Sequence, residues 1–303
     1  MRIVLLGLLL AFRLCAAPAP DFTVVALPDT QFYTSDFPAI FRAQVDWIIA
    51  NRTNLNIVYV AHLGDITDDP ERSPAEWNVA TNCLYRLLDA GLPLGVVPGN
   101  HDHYDRGVLY DACVGLSVFT NRPWYGGHFG TDNRNHYDLF RGGDLDFVAL
   151  YLDYTIGLTN SRPADTWADA VLKSNVNRRA IIVSHDILSS TGEFSQRGKA
   201  IYEHLKTNTN VFLMLCGHNA GDAVRADTFS GHTIFSCLSD YQTLPNGGDG
   251  FLRLYRFSPS NNAIRVQTYS PTLNQYRTNS TAHYTIPYRM NPDAPLPAHT
   301  IGK

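Results

Sequence analysis

The chain has 303 residues, 45% of them hydrophobic and 17% charged, with a formal net charge of -4. That is apolar material enough for a large core, in one large domain or two small ones, and it excludes a disordered chain. An acidic balance also argues against a polyanion-binding surface, so no nucleic-acid partner is expected.

Residues 1–19 have the pattern of an export signal: Arg2, the apolar run IVLLGLLLAF, and the small-residue exit CAAPAP. The run is too short to anchor the chain, Arg13 follows it directly, and no later run is long enough for a membrane span. Phe12-Arg13-Leu14 is a poor lead for lipidation of Cys15, where small residues are normal. A secreted or periplasmic protein is expected, cleaved between Ala16 and Ala19, and losing Arg2 and Arg13 moves the formal charge from -4 to -6. Cys83, Cys113, Cys216 and Cys237 remain, and three pairings are open to them. Cys83 with Cys113 is the preferred disulfide, with Cys216 and Cys237 as possible neighbours on adjacent strands; ordinary core cysteines are the competing reading.

Apolar runs and helical patterns then alternate. TVVAL (23–27) reads as a strand, 39–52 as a helix and NIVYVAHL (56–63) as a strand. Ser73-Pro74-Ala75-Glu76 reads as a capped start for a helix to Ala90-Gly91, before the strand LPLGVV (92–97). YDLF (137–140) and LDFVALYL (145–152) form a hairpin, followed by a helix over 164–174, the strand AIIVS (180–184), a helix over 197–205 and the strand VFLMLC (211–216). HTIFSCL (232–238), FLRLYRF (251–257) and AIRVQTY (263–269) have no helices between them and are expected to pair antiparallel. The alternation predicts an α/β fold, with two packed sheets flanked by helices accommodating this order. The main domain is expected over 20–270, with 271–303 as a loosely structured C-terminal extension.

The chemistry stands at the strand ends. TVVAL runs into Pro28-Asp29-Thr30-Gln31, NIVYVAHL into Gly64-Asp65-Ile66-Thr67-Asp68, and LPLGVV into Pro98-Gly99-Asn100-His101-Asp102. AIIVS runs into His185-Asp186 and VFLMLC into Gly217-His218. Each residue alone has an ordinary explanation as a cap, a turn former or a satisfied core histidine. A succession of such exits does not, because ligands of α/β sheets gather beyond the carboxyl ends of the strands.

This series resembles the calcineurin-like metallophosphoesterases over about residues 23–240, whose pattern is D-x-H, G-D-x-x-D, G-N-H-[D/E], a lone histidine and G-H-x-H. The second and third motifs are complete here. The resemblance implies a four-layer α/β/β/α sandwich holding two metals, Mn, Fe or Zn. By the same resemblance Asp65 bridges the metals, Asn100, His185 and His218 complete the second site, and Asp29 and Gln31 belong to the first. His101 is then the proton donor and Asp68 the carboxylate that orients it. Two cations roughly 3.5 to 4 Å apart can share a hydroxide and hold a phosphoryl oxygen. The expected function is therefore hydrolysis of a small-molecule phosphomonoester or phosphodiester by metal-bound hydroxide.

Two departures bear on the first metal: Gln31 stands where the family has histidine, and Ala220 ends the last motif. Gln31 still offers an amide oxygen and Ala220 offers nothing, leaving an oxygen-rich, weaker site that favours Mn or Mg. Asp222, His103 and Asp186 are candidates to substitute, and His103 is also a weak candidate for substrate binding. The rival reading is a noncatalytic or single-metal binding protein that keeps the fold; a structural zinc cage is disfavoured by the oxygen-rich ligands.

Overall fold

A computed structural model describes residues 19–69, 74–155 and 162–297. The predicted export signal (1–18 of it) and Ser73 of the predicted cap lie outside the described residues.

The first half alternates strand and helix: β1 (Phe22–Leu27), α1 (Gln31–Ser35), α2 (Pro38–Asn51), β2 (Ile57–His62), α3 (Ala75–Asp89) and β3 (Leu94–Val96). Then come α4 (Val108–Val114), α5 (Leu116–Phe119), β4 (Tyr125–His128), β5 (His136–Gly142), β6 (Leu145–Leu152), α6 (Arg162–Ser174), β7 (Arg179–Ser184), α7 (Gln196–Leu205) and β8 (Val211–Cys216). The rest is mostly strand: β9 (Gly221–Phe229), β10 (His232–Asp240), the short α8 (Pro245–Gly248), β11 (Leu252–Ser258), β12 (Ala263–Ser270), β13 (Gln275–Arg277) and β14 (His283–Pro287).

Two seven-stranded sheets result. One runs β13-β12-β11-β1-β2-β3 with β14 also on β12, and the other runs β4-β5-β6-β7-β8-β10-β9. β1, β2 and β3 are mutually parallel, as are β6, β7, β8 and β10. These central strands are apolar on both faces because both faces are covered. Phe22, Val24, Tyr59, Phe147, Tyr151 and Phe257 fill the space between the sheets. Alternate residues face outward: Val25, Val60 and Leu254 meet Phe41, Ile48, Trp77 and Leu84 of α2 and α3. On the far side Val148, Ile182 and Met214 meet Leu172 of α6 and Ile201 of α7. The layers are α/β/β/α.

Three expectations change. β10 does not pair with β11: it lies in the other sheet, parallel to β8 and antiparallel to β9. Its apolar run is indistinguishable from a hairpin strand until its neighbours are known. The segment after Ser270, expected to be loose, adds β13 and β14 to β12, and β14 buries Tyr284 and Ile286 between the sheets. Finally, all four described cysteines are free. Cys216 and Cys237 do lie on adjacent strands, but Leu238 is the residue opposite Cys216, so the two thiols face opposite sides of the sheet.

Candidate metal centre

β1, β2 and β3 end beside β7 and β8, and their exit loops meet. Asp29 follows β1, is 2% exposed, and accepts a hydrogen bond from the His218 amide at 3.1 Å. Asp65 follows β2, and its Oδ1 accepts from the His101 amide at 2.9 Å. His185 follows β7; its Nδ1 is 2.9 Å from the Leu63 carbonyl oxygen and its Nε2 3.2 Å from Asp65 Oδ2. His218 follows β8, with its ring centroid 4.9 Å from that of His185. One ligand atom each from Asp65, His185 and His218 can be chosen so that all lie within 4.8 Å of one another.

Close approach explains the glycines of these motifs. Gly64 has φ +99, and a Cβ there would press on the His185 ring; a Cβ on Gly99 would overlap the Asp65 carboxylate and amide. Asp65 and His218 themselves adopt left-handed backbone, with φ 48 and 70. Non-glycine residues hold that conformation at a cost, which surrounding structure must offset, and such strain gathers at functional sites.

The acceptors are arranged for a cation. A carbonyl oxygen only accepts, so His185 Nδ1 carries a proton, and Nε2 faces the Asp65 carboxylate, where either a second proton or a cation joins the two. Gln31 is 3% exposed; its Nε2 donates to Asp68 Oδ1 at 3.2 Å, and its Oε1 is buried without a partner. Asn100 Oδ1 is likewise buried and unpartnered. Orphaned acceptors of this kind are rare unless something else fills them. Oxygen donors with two imidazoles suit Mn, Fe or Zn.

Charge in the site follows the same geometry. Burial opposes its ionisation, yet the Asp65 and Asp29 carboxylates push His185 up to about 10. Burial likewise works against Asp65, but His185 and His101 hold it below the usual carboxylate range. Burial, then the Asp240 carboxylate, raise Asp29, while burial and the neighbouring His185 lower His218.

His101 is positioned from one side. Its Nδ1 lies 2.6 Å from the Asp68 carbonyl oxygen and 3.2 Å from Asp68 Oδ1, which leaves Nε2 outward, 3.5 Å from the Tyr104 hydroxyl. Asp68 is fixed in turn, since Glu76 Oε2 accepts from the Asp68 and Asp69 amides at 2.7 and 3.1 Å. Glu76, read in the sequence as half of a capping box, serves this loop.

Other residues find different partners. His103 Nε2 is 3.2 Å from Asp153 Oδ1. Asp186 pairs with Arg197 at 3.0 Å and accepts from Asn219 at 3.3 Å. Asp222 is bound by Arg253, Arg277 and the Tyr241 hydroxyl. All three are held by these other partners.

Several contributors escaped the sequence reading. Asp102, fully buried, accepts from the Ile66, Thr67 and Gly99 amides and ties the β2 and β3 exits together. Tyr154 packs 5.6 Å from both His185 and His218, with the Arg197 guanidinium 3.8 Å above its ring. Asp240 is a buried acid at the β10 exit. The signal for it was present, as an apolar run ending in an acid, but the run was assigned to the wrong sheet. A surface hollow of about 620 Å³ includes Arg178, Asn210 and His232 in its lining and none of these site residues.

A sandwich of this build gathers carboxylates, amides and imidazoles at its strand exits, a donor set suited to a metal ion. The calcineurin-like phosphoesterase family model matches residues 22–222, and the chain belongs to that family. It is 36% identical over 266 residues to the uncharacterized protein YvnB of Bacillus subtilis (strain 168), covering 84% of this chain and 20% of that protein. The chain thus spans about a fifth of that relative's length. Among solved structures it is similar to a dimetal phosphatase from Danio rerio, with TM-score 0.59, 16% identity, and coverage of 90% of this chain and all of that one. It is also similar to GAP50, the anchor in the inner membrane complex of Plasmodium, with TM-score 0.55, 14% identity and 89% of each chain covered. At such identities the likeness is one of fold.

Proposed function

We propose that the protein hydrolyses a small phosphate ester, with Asp29, Gln31 and Asp65 holding one cation and Asp65, Asn100, His185 and His218 a second. When bound, such ions supply positive charge for the phosphoryl oxygens and acidify a water. The residues of the chain do the rest. Asp65 suits the shared position because a carboxylate has two oxygens and offsets charge. His101, held through Nδ1 by Asp68, turns Nε2 to the substrate side and gives a proton to the departing alkoxide.

The observation that carries this reading is the His101 to Asp68 clamp standing directly against the Asp65 group, with the His101 amide bonded to Asp65 Oδ1. A protein that only binds a cation has no use for a histidine oriented in this way. Arg197, paired with Asp186 and stacked over Tyr154, places a guanidinium beside the ring that packs on both site histidines. The export-signal pattern of residues 1–19 supports a secreted or periplasmic location. The test is hydrolysis of an aryl phosphomonoester and an aryl phosphodiester with Mn, Zn or Fe supplied in turn. Cleavage of either ester, abolished by chelation and restored by metal, is the expected result. Hydrolysis of neither under any supplement overturns the reading.

A further inference from the structure

We propose that Tyr104 is the leaving-group residue of the site: its hydroxyl donates a hydrogen bond to the ester oxygen that departs, and its exposed ring carries the group attached to that oxygen. The substrate class is then a phosphate ester of a flat, aromatic alcohol. The inference rests on the hydrolytic reading above and deepens it.

One pinned turn holds both His101 and Tyr104. It spans Asn100 to Tyr104 after β3, and the Tyr104 amide donates to the His101 carbonyl at 3.2 Å. The three side chains before Tyr104 are committed. His101 Nδ1 lies against Asp68, and Asp102 accepts from the Ile66, Thr67 and Gly99 amides. His103 Nε2 meets Asp153 Oδ1 at 3.2 Å, and that oxygen also accepts from the Thr155 amide and hydroxyl at 2.7 and 2.9 Å. The turn is thereby tied to the β2 exit on one side and to the β6 exit on the other.

Tyr104 differs from these neighbours. It is 49% exposed, yet its ring centroid lies 4.8 Å from that of His101 and its hydroxyl 3.5 Å from His101 Nε2. Asn100 is the other side chain at that hydroxyl. Single exposed aromatics are ordinary on a protein surface. What sets this one apart is where its polar tip stands: between a candidate metal ligand and the proton donor.

With Nδ1 turned to the Asp68 carbonyl oxygen, Nε2 is the His101 nitrogen that meets the substrate. An oxygen that takes a proton from it comes within about 2.6 to 3.2 Å. The Tyr104 hydroxyl is 3.5 Å from the same nitrogen, the outer limit of a hydrogen bond, and two atoms so spaced can both reach one oxygen. In hydrolysis the bond from phosphorus to that oxygen breaks, the oxygen keeps the electron pair, and His101 gives it the proton. Tyr104 keeps its own proton and shares it as a hydrogen bond while negative charge builds on the oxygen. The group bonded to the oxygen then lies along the exposed ring. An aromatic group stacks there by offset or edge contact, worth up to about tenfold in binding.

The test uses the metal-loaded full chain as parent, Tyr104→Phe and Tyr104→Ala. Calorimetry comes first, with phenylphosphonate and methylphosphonate, whose carbon-phosphorus bond resists cleavage and puts a ring or a methyl group where the leaving group stands. The parent and Tyr104→Phe should bind phenylphosphonate up to about tenfold tighter than methylphosphonate, and Tyr104→Ala should bind the two alike. Turnover then separates the hydroxyl from the ring. Tyr104→Phe should lose about tenfold or more in kcat on phenyl phosphate with KM little changed, the worth of one hydrogen bond to a charged group. The loss should be far smaller on nitrophenyl phosphate, whose leaving oxygen needs little help. Tyr104→Phe as active as the parent on phenyl phosphate, or Tyr104→Ala keeping the preference for the phenyl ring, overturns the proposal. A parent that cleaves neither ester overturns the hydrolytic reading itself, and the role of Tyr104 with it.

Discussion

His185 Nε2 faces Asp65 Oδ2 across 3.2 Å, while the other ring nitrogen is committed to the Leu63 carbonyl oxygen. A proton on Nε2 makes this an ion pair, and a cation taking the proton's place would be shared by the same two groups. The ring is locked in this pose by the β2 exit, because Gly64 leaves room for it and Leu63 fixes its tautomer. Such backbone partners orient a ligating imidazole.

The first prediction follows for this pair and for His218. His185→Ala and His218→Ala should each lose one equivalent of bound metal and abolish hydrolysis, because each removes one of only two imidazoles in the second site. Elemental analysis of both purified variants checks this. Full metal retention in either returns that histidine to a structural role.

His101→Ala should lower turnover by about 10²-fold or more with metal content unchanged, the usual worth of general acid catalysis. Esters with good leaving groups should suffer least, as they need little protonation. Asp68→Ala should cost only about tenfold, the scale of losing one orienting partner, because the Asp68 main-chain carbonyl still holds Nδ1 at 2.6 Å. Equal losses in the two variants would show that the carboxylate, and not the carbonyl, sets the ring.

Arg197 lies 3.8 Å over the Tyr154 ring, and that ring abuts both metal-site histidines. Its Nε is buried without a hydrogen-bond partner. Arg197→Ala should weaken inhibition by inorganic phosphate about tenfold, the value of one hydrogen bond to a charged group. Inhibition constants measured at fixed metal concentration decide it, and an unchanged constant removes Arg197 from the phosphate path.

Most of this architecture was legible because strand exits punctuate the sequence: each buried run stops at a residue type that a core does not want. That rule singles out Asp29, Asp65, Asn100, His185 and His218, and their roles as ligands are what the resemblance to the phosphoesterases implies. What the rule misses is pairing. β9, with the polar alternation GDAVRADTF of an edge strand, carries too weak a pattern to be seen, yet its nine residues pair with β10 along their whole length. Without β9 the late strands look like one meander, and β10 goes to the wrong sheet. β14 is short and follows a polar, proline-bearing stretch, so its burial of Tyr284 and Ile286 shows only once β12 offers an edge. Asp102 escaped for another reason: an acid beside a histidine reads as chemistry, whereas here it is a buried staple for three amides.

The last prediction concerns a buried acid remote from the metal centre. Asp138 of β5 is fully buried between the sheets, where Tyr59 donates to Oδ2 and Tyr59 and Tyr151 share a hydrogen bond of 2.9 Å. Burial raises its carboxyl well above the usual range, against the opposing pull of the Tyr59 hydrogen bond. The folded protein therefore keeps a proton that the unfolded chain gives up near pH 3.9, so stability falls as pH rises through that value and goes on falling until the folded group ionises. The slope is about 1.4 kcal/mol per pH unit in that window. Asparagine imitates the neutral carboxyl, since Oδ1 has no partner and an amide presents a donor there as a protonated acid would. Asp138→Asn should thus melt higher than the parent at pH 7 to 8, with the difference shrinking towards zero near pH 4. Melting temperatures of the two proteins across that range decide the matter. Parallel curves would mean that Asp138 ionises in the folded state much as it does in the unfolded one, and that the Tyr59 hydroxyl alone compensates its burial.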